Sequence, residues 1–279
     1  MKTIMIRIQG IIITFLAVFL IFSITSCKNK KSSESGSTDE AILEKMEGRD
    51  AVIQEISDYP LPTSFEVTTL LVEAGASYIL DLSNHVENVN KYINLRSKAL
   101  NLGVYGADLS YAATYNQTQE TMQYLSASAK LIDELQIGSF DEELVNNVEA
   151  NIDNVDSLIN LISDSFYDTY EYLTNNEQDE LSILVMAGSW IEALYITSQI
   201  SIFSADNAKI LEIINEQSSS LEKLLETMAP VSESEMSADV FNGLTMIQEI
   251  YRSAEGNLTT LQIEALILQV ENLRNQIVS

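Results

Sequence analysis

Proline constrains this chain more than any other residue type. Only Pro60, Pro62 and Pro230 occur in 279 residues, and 167 residues lie between the last two. Proline removes a backbone donor and breaks helix interiors, so this long stretch leaves helices free to run. Its apolar residues recur at helical spacing instead of alternating. Val145, Val148, Ile152, Val155, Ile159, Ile162 and Phe166 are spaced 3, 4, 3, 4, 3, 4, a coiled-coil-like seam that predicts one helix of about 30 residues. Ile210, Ile214, Gln217, Leu221, Leu224 and Met228, spaced 4, 3, 4, 3, 4, form a second seam.

The pattern predicts helices over 40–57, 64–83, 86–136 with a break near Gly103 to Gly106, 141–174, 178–204, 207–229, 237–251 and 255–277. Gly138 is expected to supply a left-handed cap after Leu135. Ser139 with Glu142, and Thr63 with Glu66, have capping-box spacing. The expected fold is all-α, an antiparallel bundle of about seven or eight helices around a single core. It forms one domain over 40–279, with no internal repeat.

Composition narrows the class further. Apolar residues make up 46%, with 10 Gly and 1 Cys, which excludes a disordered chain, a collagen-like chain and a disulfide framework. The formal charge is 15 − 41 = −26. Binding phosphate needs clustered Lys and Arg, so no nucleic-acid partner is expected.

The N-terminus reads as an address. Lys2 and Arg7 precede a nearly uninterrupted apolar run, Ile11 to Ile24, and then Ile24-Thr25-Ser26-Cys27. A basic region, an apolar region and small residues before a cut site describe a secretory signal, here 1–26. The last four residues resemble the lipobox of bacterial lipoproteins. That resemblance implies acylation of Cys27, the chain's one cysteine, cleavage before it, and attachment to a membrane through lipid. Residues 27–39 hold no large apolar side chain after the cysteine and read as a flexible tether. Lys28 stands where Asp would resemble an inner-membrane retention signal, so the outer membrane is expected. Lys28-Asn29-Lys30-Lys31 lacks the acidic cluster that resembles a surface-export tag in some gut-type bacteria. The periplasmic face is therefore favoured, with the cell surface left open.

Charge is unevenly spread. The 78 residues between Lys130 and Lys209 contain 16 acids and no Lys or Arg. Such a sector reads as a solvated face or as a docking surface for a basic partner. Glu149, Asp153 and Asp156 are placed on a helix, without the converging loop that calcium favours. By contrast, Asp108 is the one charged residue from Ala99 to Gln119, and Glu192 the one from Leu181 to Ala205. Both acids are expected in the interior, where a lone carboxylate needs a partner or loses its charge. His85, Lys91, Arg96, Lys98, Arg252, tyrosine hydroxyls and backbone amides are the candidate partners. Tyr105, Tyr111 and Tyr115 surround Asp108, while Tyr195 and Trp190 lie near Glu192. Tyr105, Asp108, Tyr111, Trp190, Glu192 and Tyr195 are thus the candidate ligand-binding residues, against the plainer reading that they pack the core and fix helix register.

Leu102-Gly103-Val104-Tyr105-Gly106-Ala107-Asp108-Leu109-Ser110-Tyr111 and Ala187-Gly188-Ser189-Trp190-Ile191-Glu192-Ala193-Leu194-Tyr195 resemble blocks shared by all-helical lipoproteins of Bacteroidetes-type bacteria. The resemblance implies a helical lipoprotein and draws attention to Asp108 and Glu192. It implies no particular activity.

With one histidine and no second cysteine, the zinc sets H-E-x-x-H and C-x-x-C are absent. G-x-S-x-G, G-x-G-x-x-G, the phosphate-binding G-x-x-x-x-G-K and di-iron Glu-x-x-His patterns are absent too. No catalytic residue, metal or cofactor is expected. The first expectation is a lipid-anchored envelope protein that binds, as scaffold or accessory to envelope proteins. The second is a small-molecule-binding lipoprotein with an aromatic and carboxylate pocket. The third is a carboxylate-dependent hydrolase using Asp108 and Glu192.

Overall fold

The computed structural model describes residues 64–137, 142–176, 178–204, 207–254 and 256–279. The expected signal sequence 1–26, Cys27, the expected tether 27–39, the helix expected at 40–57, Gly138 and the caps expected at Thr63 and Ser139 lie outside the described residues. The described residues form nine α-helices and two short 3-10 turns, and no strand occurs among them. The helices are α1 (Ser64–Glu73), α2 (Leu95–Thr114), α3 (Thr118–Leu135), α4 (Glu142–Ala150), α5 (Val155–Asn175), α6 (Asp179–Phe203), α7 (Ala208–Met228), α8 (Ala238–Arg252) and α9 (Thr260–Val278). The fold is all-α, a helical bundle.

At its centre α2 and α6 pack against each other. Two glycines permit the approach. A Cβ on Gly103 would lie 2.0 Å from Val185 O, and one on Gly188 would lie 2.0 Å from Leu100 O. Both distances are far inside van der Waals contact, so only hydrogen fits. α2 also packs against α1, α3 and α5, and α6 against α7 and α9, while α8 joins α7 to α9. α6 is long and apolar enough to cross a membrane by length and composition, but 89% of its most apolar window is buried inside the protein. It is a core helix covered on every side. Its first turn carries Asp179 and Glu180, which suit the positive end of the helix dipole.

The second seam is a real buried stripe: Ile210, Ile214, Gln217, Leu221, Leu224 and Met228 are all buried on α7. The first is divided. Helix α4 ends at Ala150, and Asn154 starts α5 by accepting from Ser157 N at 3.1 Å. Asp153 lies in that break, not on a helix. The break expected near Gly103 to Gly106 is also absent: both glycines lie within a continuous α2, where Gly103 serves close packing. The chain turns instead at Asn116, whose φ of 56° is left-handed. α3 likewise ends on Gln136 at φ 58°, so glutamine supplies the left-handed residue expected of glycine. α1 stops at Glu73, well short of residue 83, and segment 76–92 continues mostly without regular structure except the 3-10 turn Val86–Lys91. The apolar interior comprises a large cluster and a smaller one around Leu71, Tyr111, Ile196 and Ile200, with Tyr195 packed against both.

Candidate functional site

The six residues singled out in the sequence divide between two faces of the α2–α6 pair. On a helix, two positions differ by about 200° around the axis. Trp190 and Glu192 therefore point to opposite sides of α6, and the pocket expected around all six residues is not formed.

One side holds a buried charge cluster. Glu192 is fully buried and meets Arg274 of α9 in a two-pronged ion pair, with Arg274 Nε donating to Oε2 at 2.9 Å and Nη2 to Oε1 at 3.0 Å. The guanidinium also lies 4.5 Å from the centre of the Tyr195 ring. Burial alone would lower Arg274, but the charge and hydrogen bonds of Glu192 hold it above its ordinary range. Arg274 was not among the partners suggested by the sequence. Two of those that were are engaged elsewhere: Arg96 Nε donates to Met236 O at 2.7 Å and Lys98 pairs with Glu134 at 2.9 Å.

Asp108 belongs to the same cluster. Burial pushes its carboxyl well above the usual range, and the charge of Glu192 pushes it further, while Arg274 and the Asn84 amide pull it down. Its Oδ2 accepts from Asn84 N at 3.1 Å, and Oδ1 has no hydrogen-bond partner. The cluster thus holds two carboxyls against one guanidinium. A protonated Asp108 brings it to neutrality, the cheaper condition in a low-dielectric interior.

Asp108 is one of four residues along one side of α2 and its C-cap, Tyr115, that hold segment 76–92. Tyr115 Oη donates to Ala76 O at 3.1 Å, and Tyr111 Oη accepts from Ile79 N at 2.8 Å. Asp108 takes Asn84 N, and Tyr105 Oη donates to His85 O at 2.9 Å. Positions 115, 111, 108 and 105 therefore meet residues 76, 79, 84 and 85 in order, with the segment running antiparallel to the helix. Tyr78 stacks on Tyr111 with ring centres 4.6 Å apart. Burial pushes the Tyr111 hydroxyl up to about 12, against the opposing effect of the Ile79 amide. The tyrosines near Asp108 thus satisfy the backbone of an irregular segment that has few partners of its own.

The other side is a cleft among α1, α2, α5, α6 and α7 of about 80 Å³. Phe65, Ile162, Phe166, Tyr167, Met186 and Trp190 form much of its wall, and among the described residues no Asp, Glu, Lys, Arg or His lines it. Of the six candidates, Trp190 lines this cleft, and Tyr105, Asp108, Tyr111, Glu192 and Tyr195 do not. The indole Nε1 of Trp190 is buried and has no hydrogen-bond partner. Neither buried acid is open to a substrate. No group of three or more His, Cys, Asp or Glu converges among the described residues. Comparisons of the sequence and structure with protein-family models, curated proteins and solved structures find no match.

Proposed function

We propose that this chain is a lipid-anchored protein of the bacterial cell envelope whose helical body binds a small uncharged ligand in the cleft beside Trp190. The cleft carries the reading: in a chain with a net charge of −26, the described residues of its wall include no charged side chain. Apolar concave sites with a few polar groups are the usual form of small-ligand pockets. The buried acids are occupied in holding α9 and segment 76–92, so they support the fold. Anchoring rests on the lipobox-like Ile24-Thr25-Ser26-Cys27, which favours the periplasmic face of the outer membrane. Trp190 is the single tryptophan, so its emission reports on the cleft. Full-length protein in detergent, extracted from its own kind of host, should show a non-covalent small-molecule adduct by native mass spectrometry. Removing the adduct should shift Trp190 emission. Adduct-free protein whose emission is unmoved by uncharged apolar compounds would overturn the cleft reading.

A scaffold role toward envelope proteins is the second reading, supported by the acidic sector between Lys130 and Lys209. Crosslinking from that sector in cells should capture a basic envelope partner, and recovery of background proteins alone would count against it.

A further inference from the structure

Phe166 of α5 borders two spaces. Besides the cleft, it lines a second cavity of about 40 Å³ among α2, α3, α4, α5 and α6, and Gly106 and Ile162 also line both. Each space has a lining residue with a buried, unpartnered polar atom: Trp190 Nε1 in the first and Ser128 Oγ in the second. Among the described residues, no charged side chain lines the second cavity either. Beneath Phe166 the α2 wall is cut back to a glycine, where an added Cβ would still be 3.7 Å from the ring. Gly106 itself thus places no side chain against the ring. Unpartnered buried polar atoms cost free energy, and the first cavity alone has room for roughly five to eight waters.

We infer that the cleft takes an elongated, uncharged ligand, an aliphatic chain with an oxygen acceptor, which passes under Phe166 and fills both spaces. This inference rests on the cleft reading above. The oxygen accepts from Trp190 Nε1, and the chain runs past Gly106 toward Ser128. A rotamer change of Phe166 joins the two spaces. The described residues of the two walls include no counter-ion, which favours an uncharged ligand over a charged amphiphile.

The test uses full-length protein and straight-chain 2-alkanones of six to twelve carbons, with binding read by calorimetry and Trp190 emission. Affinity should rise about fourfold per added methylene, the gain expected for burying each CH₂, beyond the length that the first cavity alone accommodates. Ser128→Val fills the second cavity from α3, and Leu144→Phe fills it from α4. Whichever variant retains the parent's thermal melt should bind the six-carbon ketone within about twofold of the parent, and lose at least tenfold on the longest chains. A plateau at short chains in the parent, or an unchanged length dependence in both variants, would overturn the two-cavity ligand while leaving the cleft as a site. Absence of binding by any alkanone would overturn both readings.

Discussion

Arg274 in the last helix forms a two-pronged ion pair with Glu192 in the middle of the core helix, 82 residues earlier in the chain. The pair fixes α9 against α6. Its energetic meaning depends on which partner is removed. Arg274→Met leaves Glu192 buried and unpaired, and should destabilise by about 3–5 kcal/mol in denaturant unfolding. Glu192→Gln combined with Arg274→Met removes both charges and should cost clearly less than the sum of the single changes. Strict additivity would show that the two groups are not coupled.

Asp108 gives a pH dependence of defined sign. Its folded-state affinity for a proton is raised above the ordinary carboxylate value. The native state therefore holds a proton that the unfolded chain loses as pH rises past about 4. Stability contributed by this group is full below that pH and declines as pH climbs toward the raised folded value. Asp108→Asn removes the titration and can still accept from Asn84 N. Its melting temperature should exceed the parent's at pH 7, with the gap shrinking at pH 4. A parent–variant gap that does not change with pH would show that Asp108 holds its proton no more tightly in the folded state than in the unfolded chain.

The three glycines of the central helices should respond differently to alanine. Gly103→Ala and Gly188→Ala put a methyl 2.0 Å from a backbone carbonyl, and should cost at least the 1–3 kcal/mol typical of overpacking. Gly106→Ala meets the Phe166 ring at 3.7 Å, ordinary contact, and should gain about 0.5–1 kcal/mol from helix propensity. Thermal melts of the three variants decide this, and equal losses at all three sites would contradict the packing described.

Tyr111→Phe leaves the amide of Ile79 without its acceptor. The expected loss is about 1–3 kcal/mol, the usual cost of an unsatisfied buried group. It should be local: hydrogen exchange at Ile79 should quicken markedly, while amides in the middle of α6 keep their protection. Uniform acceleration across both would mean that segment 76–92 does not open independently.

The stripe on α7 was legible because six regularly spaced residues share one environment. The seam over α4 and α5 misled for a related reason. Two helices that face one core can keep their apolar spacing across a turn, and the signal of that turn was the cap pair Asn154 and Ser157. The glycines of α2 looked like a break, but Gly103 marks a helix crossing, a distinction that depends on what lies opposite. That Asp108 and Glu192 are interior followed from their charge-poor surroundings. The partner of Glu192 did not, because Arg274 is far away in sequence. Its one local signal is its place beside the buried stripe of Leu266, Val270, Leu273 and Ile277. The cleft was legible only through Trp190, since its wall gathers residues from five helices.

The separation of Glu192 from Arg274 also sets an order in time. A chain made from its N-terminus exposes Glu192 well before its counter-ion exists. At 5–20 residues per second, the 81 intervening residues take roughly 4–16 s. During that interval α6 is an apolar helix bearing an unmatched acid, a poor nucleus for closing a core. Closure of the core around Glu192 therefore depends on α9 being in place.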